Sequence, residues 1–206
     1  MNVKYIKYVC LLIIILFIAY KKTFYQNVSS SEIKASVLVD QPYKITIREL
    51  LSKDSLELLA EKNNISILKK EWKNLELEIP RILRIRQYKV SGEMFIKARI
   101  EDSYFGNLLI DLCQDIDLNK DFLRIKVTML PNENEIGVTN FEKVIDIANL
   151  DDKTKIVVQS KIEIEKSIPF FAKDFMQNKV DEFNQQDVDK FLNGLVEIIT
   201  RKIEIK

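Results

Sequence analysis

"KIEIEKSIPFFAKDF", residues 161–175, is where the chain changes its period. Ile162 and Ile164 alternate with Lys161, Glu163 and Glu165, the two-residue repeat of a strand with one buried face. Ser167 and Pro169 interrupt it. Then Ile168, Phe171, Ala172, Phe175, Met176, Val180 and Phe183 fall at three- and four-residue spacing, and Val188, Phe191, Leu192, Leu195, Val196 and Ile199 extend that stripe. Proline suits the first turn of a helix and serine its cap. The spacing therefore predicts a long amphipathic C-terminal helix entered directly from a strand. "NQQD" (184–187) predicts a kink or interruption in it.

Upstream, period two dominates. "ISILKKEWKNLELEI" (65–79), "LRIRQYKVSGEMFIKARI" (83–100), "FGNLLIDLC" (105–113), "FLRIKVTML" (122–130), "NFEKVIDIAN" (140–149) and "KIVVQSKIEI" (155–164) read as strands, joined by turn-like segments such as "PNENEIG" (131–137) and "NLDDK" (149–153). Hairpin spacing makes the sheet mostly antiparallel. "IKASVLV" (33–39) reads as a first strand, and "DQPYKITIRELLSKDSLELLAEK" (40–62) as a turn followed by one or two short helices, the second capped by Ser52 or Asp54. The expected fold class is α+β: a curved antiparallel sheet of six or seven strands packed on a long C-terminal helix, preceded by an N-terminal transmembrane helix.

This order resembles the START-like or SRPBCC (helix-grip) superfamily, in which a curved sheet wraps a C-terminal helix. The stretches that carry the resemblance are "SVLVDQPYKITIRELL", the hairpin "NFEKVIDIANLDDKTKIVVQSKIEI" and "SIPFFAKDFMQNKV", and it spans about residues 33–206. It is one of pattern, without a specific motif. It implies a gap between helix and sheet that holds an apolar ligand, with Phe170, Phe171, Phe175 and Met176 as candidate ligand-binding residues. The same rings also serve as ordinary core, and that plainer reading comes first, since interiors normally fill.

"YVCLLIIILFIAY" (8–20) is an uninterrupted apolar run between Lys4/Lys7 and Lys21/Lys22. At about 1.5 Å per residue it covers about 20 Å, short of the roughly 30 Å hydrocarbon core. Tyr5, Ile6 and snorkelling lysines extend it, and tyrosines at 5, 8 and 20 suit the interface. A cleaved signal peptide has an apolar run of this length, but Ala19-Tyr20-Lys21-Lys22 is a poor cleavage site. Cys10 lacks the small residues that precede a lipoprotein cysteine. The expectation is an uncleaved single-pass anchor over residues 1–22, in contact with the bilayer through residues 5–22, a linker over 23–32, and one domain over 33–206. A short tail ahead of a long domain points to export, although the lysines nearly balance across the run.

Composition narrows the chemistry. The 206 residues carry 32 basic and 31 acidic groups. Four of the lysines precede Glu32, where no acid occurs, so the domain itself is slightly acidic and has no field to draw nucleic acid. The most basic window, Lys69 to Lys89, reads as a solvated sheet face. There is no histidine, which removes histidine-based metal sites, general bases and triads. Cys10 and Cys113 are too distant to suggest a disulfide. No glycine-rich phosphate loop occurs. Asp115, Asp117, Asn119 and Asp121 imitate a calcium loop, but Lys120 and Lys126 stand where glycine and the bidentate glutamate belong, so the stretch reads as an acidic turn. Asp111 and Asp146 interrupt apolar runs and are expected to face solvent. Sequons at Asn27 and Asn64 matter only in a glycosylating compartment. No metal, cofactor, catalytic residue or nucleic acid is expected. Two functions lead: a membrane-tethered, non-catalytic domain binding a lipid or other apolar small molecule, or a structural or interaction subunit of a membrane-associated complex with a filled core and a protein partner; an enzyme ranks third, given the missing histidine and the absent motifs.

Overall fold

The computed structural model describes residues 24–78, 88–102, 106–131 and 137–201. Among them, seven strands form one curved antiparallel sheet: β1 (Phe24–Val39), β2 (Ile65–Glu78), β3 (Lys89–Asp102), β4 (Gly106–Asn119), β5 (Phe122–Met129), β6 (Val138–Leu150) and β7 (Lys153–Pro169). The order is β1-β7-β6-β5-β4-β3-β2: hairpins run from β2 to β7, and the first strand closes back beside the last. Helices α1 (Tyr43–Leu50) and α2 (Lys53–Lys62) separate β1 from β2. A 3₁₀ turn (Phe170–Ala172) leads from β7 into α3 (Lys173–Arg201), which lies against β1 and β7.

Alternation on β7 decides which face is inner. Thr154, Ile156, Val158, Ser160, Ile162 and Ile164 are buried, and the residues between them are not. Directly opposed residues share a face, so the register carries this side across the sheet through Ile156, Ile147, Leu123, Leu118 and Val90. Onto this floor α3 lays Val188, Leu192, Leu195 and Ile199, joined by Val39 and by Tyr43, Ile47 and Leu50 of α1. Each such aliphatic contributes roughly 1.5–3 kcal/mol on burial. Polar bonds pin the closing elements: the Tyr43 hydroxyl donates to the Asn119 carbonyl at 3.1 Å, and that of Thr154 to the Gln41 carbonyl at 2.8 Å.

Three expectations change. First, β1 begins at Phe24 rather than Ile33, so residues 24–32 are strand, paired with β7 from Phe24↔Pro169 onward, and not a linker. "QNVSSS" shows no apolar alternation because its inward side chains, Asn27, Ser29 and Ser31, are polar yet buried. A long neighbouring edge supplies the backbone ladder, and Asn27 donates to the Ser29 hydroxyl at 2.8 Å. The Asn27 sequon is thereby folded away. Second, α3 runs unbroken through residues 184–187. Asn184 is 1% exposed and its amide donates to the Ser31 carbonyl and hydroxyl and to the Ser160 carbonyl, each at 3.2 Å. What reads as a helix breaker is an inward-facing tie to two strands. Third, Asp115 and Asp117 belong to β4, and only Lys120 and Asp121 turn.

Among the described residues no helix is long and apolar enough to cross a membrane. The apolar run 8–20 and its flanks lie outside them, as do residues 83–87 of the strand expected over 83–100.

Candidate functional site

The inner face extends beyond the helix. Register places Ile67, Trp72, Leu75 and Leu77 of β2 opposite Ala98, Met94, Gly92 and Val90 of β3, and therefore on the inner side. Trp72, Leu75 and Leu77 are 51%, 60% and 61% exposed. Behind them Met94, Ile96, Ala98, Ile110 and Leu112 form a buried apolar cluster, with Val127, Met129 and Phe141 packed against it. Gly92 permits the close approach of the indole: a Cβ there would stand 2.9 Å from the Trp72 ring. An edge strand that shows this much apolar side chain on its inner side is an open wall.

A polar row crosses this face. Gln114 of β4 opposes Val127 of β5, Val127 opposes Lys143 of β6, and Lys143 opposes Ser160 of β7. Gln114, Lys143 and Ser160 are 7%, 7% and 0% exposed. The Lys143 ammonium reaches Asp187 of α3 at 2.6 Å and lies 4.6 Å from the Phe191 ring centre and 5.5 Å from that of Phe141. The Ser160 hydroxyl is buried without a hydrogen-bond partner. Among the described residues the inner face thus holds one buried cation, set against two aromatic rings and paired with a carboxylate whose side chain is about a quarter exposed.

Of the four residues proposed from sequence, Met176 packs against the cluster of Val138, Ile162, Ile164 and Val180. Phe170, Phe171 and Phe175 are 65%, 72% and 65% exposed and do not fill the core. The reason is positional. The sheet's last strand ends at Pro169, so the first turns of α3 overhang it, and full burial on the helix begins at Val180.

The outer face carries charge. Asp146 takes two bonds from Arg124, at 2.7 and 2.8 Å, and Asp111 lies 3.9 Å from Lys97, so both acids face out as their strands predict. Cys113 donates to Glu93 at 3.2 Å, and Lys73 holds the same carboxylate at 3.0 Å. Burial first, and then the hydrogen bond to Glu93, pushes the thiol up to about 11. The hydrogen bond from Lys73 holds the Glu93 carboxyl below its ordinary range. Glu93, Cys113 and Asp115 are close enough to share an ion, but a thiol this reluctant to ionise is a poor ligand, since metals bind the thiolate.

This architecture, a curved antiparallel sheet gripping a C-terminal helix, is the helix-grip fold. The aromatase/cyclase Zhui from Streptomyces sp. R1128 superposes with a TM-score of 0.52 at 13% identity, over 84% of this chain and 96% of that one. SA2116 from Staphylococcus aureus, a protein of unknown function, does so with a TM-score of 0.52 at 10% identity, over 86% and 98%. At such identities the likeness shows the fold alone. No protein-family model and no curated protein matches the sequence.

Proposed function

We propose that this chain is a membrane-tethered, non-catalytic helix-grip domain that binds a lipid or other apolar small molecule between the sheet and α3, and that the ligand carries an anionic group. The observation behind this reading is Lys143: a buried cation in the polar row that crosses the inner face, beside the unpartnered Ser160 hydroxyl. Burying an ammonium is costly, and a single carboxylate partner rarely repays it. A site for an acid-bearing apolar molecule gives the pair a use: the ligand's head meets Lys143, and its body lies along Met94, Leu112, Val127 and Met129 toward Trp72 and Leu75. In this reading Met176 lines the interior and Phe170, Phe171 and Phe175 stand outside it. The apolar run 8–20 supplies the tether and holds the domain beside its ligand reservoir at high effective concentration.

The test is titration of the full chain, in mild detergent, with an anionic apolar fluorophore and with an uncharged analogue of the same shape. Saturable binding of the anion, weakened at least tenfold by Lys143→Met and competed by lipid extract, supports the reading. Equal binding of both probes, untouched by the substitution, removes it.

One observation favours a second reading. Among the described residues β2 is an unpaired sheet edge with Ile67, Leu68, Trp72, Leu75 and Leu77 exposed, and it borders an open cavity of about 470 Å³ against α2. A structural subunit would present this edge to a protein partner. Crosslinking at Trp72 to a partner in place of ligand uptake would favour it.

A further inference from the structure

Phe170, Phe171 and Phe175, which stay out of the core, are grouped at one place. Phe170 and Phe171 meet edge to face with ring centres 5.7 Å apart, and Phe175 lies one turn further along the same helix face as Phe171. Lys166 and Lys173, both exposed, flank them, with Asp174 between Lys173 and Phe175. Three aromatic rings this exposed within six residues are unusual on a surface that meets only water.

Their position relative to the chain's entry is fixed by register. Phe24, the first residue of β1, pairs with Pro169, the residue before Phe170. Strand neighbours lie roughly 5 Å apart. From Phe24 back to Lys21, which closes the apolar run, there are three peptide links, spanning at most roughly 11 Å. With residues 24–32 in the sheet, no slack separates run and domain. If the run sits in a bilayer, the end of the sheet that carries the phenylalanines is held within a short step of the headgroups, a layer about 5–7 Å deep in each leaflet. Phenylalanine rings flanked by lysines suit the boundary between headgroups and acyl chains.

We propose that Phe170, Phe171 and Phe175 form the domain's contact with the bilayer interface, seating α3 and the end of the sheet on the membrane beside the tether. This rests on the tether reading above and adds a fixed orientation to it. The phenylalanine end faces lipid and the β6–β7 turn at Asp151 and Asp152, at the far end of β7 and roughly 50 Å away along the strand, faces water.

The experiment uses the full chain with Cys10→Ser and Cys113→Ser, reconstituted in phosphatidylcholine vesicles that contain a lipid nitroxide quencher near the headgroup. A fluorophore is placed at Asn178→Cys, exposed and one turn from Phe175, or at Asp152→Cys. Flotation with the vesicles reports the tether, and quenching reports the contact. The expected result is flotation, quenching at 178 but not at 152, and loss of the quenching in Phe170→Ser/Phe171→Ser/Phe175→Ser while flotation persists. Flotation without quenching at 178, or quenching that the serine variant retains, overturns the contact and leaves the tether standing. Failure to float overturns the tether, and the contact with it. Shielding of 178 from aqueous iodide that grows with the protein-to-lipid ratio, without lipid quenching, means that a second copy covers the patch, and this too overturns the proposal. Should the triple variant not fold, Phe171→Ser, the most exposed of the three, is expected to give the same loss at smaller amplitude.

Discussion

Replacing Asp187 by Asn tests the account of the interior most sharply, because it removes a charge and keeps the shape. The Lys143 side chain is 9% exposed and its ammonium stands 2.6 Å from Asp187. At an effective dielectric of about 20, two charges at that distance attract by about 6 kcal/mol, most of which desolvation of the two ions cancels. Removing one partner does not refund the desolvation of the other, and for a fully buried pair the loss is about 3–5 kcal/mol. Asp187 is 26% exposed, so water reaches the pair and the lower figure applies. The Phe141 and Phe191 faces retain about 1 kcal/mol of attraction for the cation. Asp187→Asn should therefore cost about 2–3 kcal/mol, whereas Lys143→Met, which removes the charge altogether, should fall within about 1 kcal/mol of the parent or exceed it. In the Lys143→Met background, Asp187→Asn should cost less than about 0.5 kcal/mol, a coupling of about 2 kcal/mol. The assay is urea unfolding of the full chain in mild detergent, followed by circular dichroism. A coupling below about 0.5 kcal/mol would mean that the two charges do not stabilise each other, as would Lys143→Met proving the worst of the set. A stable Lys143→Met protein that no longer takes an anionic ligand would show the pair retained for function at some expense of stability.

Asn184→Ala should cost about 2–4 kcal/mol by leaving the inward faces of Ser31 and Ser160 short of a donor, and thermal melting should show a single, lower transition. Gly137 holds φ at 79° and a Cβ there would lie 2.1 Å from the Glu165 carbonyl oxygen, so Gly137→Ala should destabilise by about 2–4 kcal/mol; an unchanged melting temperature would mean that the β5–β6 connection adapts freely. With Cys10 replaced by serine, alkylation of Cys113 should be slow at pH 8 and rise about tenfold per pH unit toward about 11, because only the thiolate reacts and its raised pKa keeps it scarce below that. Glu93→Gln removes an acceptor and a nearby negative charge that both favour the thiol, so the rate at pH 8 should increase several-fold, and a slower rate would contradict the assignment.

Strand and helix positions were legible because their apolar residues keep the right period. β7 alternates from Ile156 to Ile164, and α3 holds its stripe from Val180 to Ile199. The start of β1 was hidden because its inward residues, Asn27, Ser29 and Ser31, are polar, so hydropathy gives no period to follow. The continuity of α3 was hidden for a related reason: Asn184 serves two strands that are distant in sequence. The polar row had a trace in the sequence. Leu112-Gln114-Ile116, Phe141-Lys143-Ile145 and Val158-Ser160-Ile162 each interrupt an inward apolar series with one polar residue. Only the register reveals that the three interruptions meet across one row of the sheet. The exposure of Phe170, Phe171 and Phe175 was not legible for want of one length: periodicity says which face a side chain takes, but not that the sheet beneath it has already ended.

Uptake of an acid-bearing apolar molecule is what the cationic interior is proposed to do. Native mass spectrometry of the full chain, released gently from detergent after purification from its own host, addresses it directly. The expected result is extra mass that denaturation removes, that proves to be an apolar molecule with an anionic group, and that is missing from the Lys143→Met protein. Bare protein mass in both, with no uptake from added lipid extract, would contradict it.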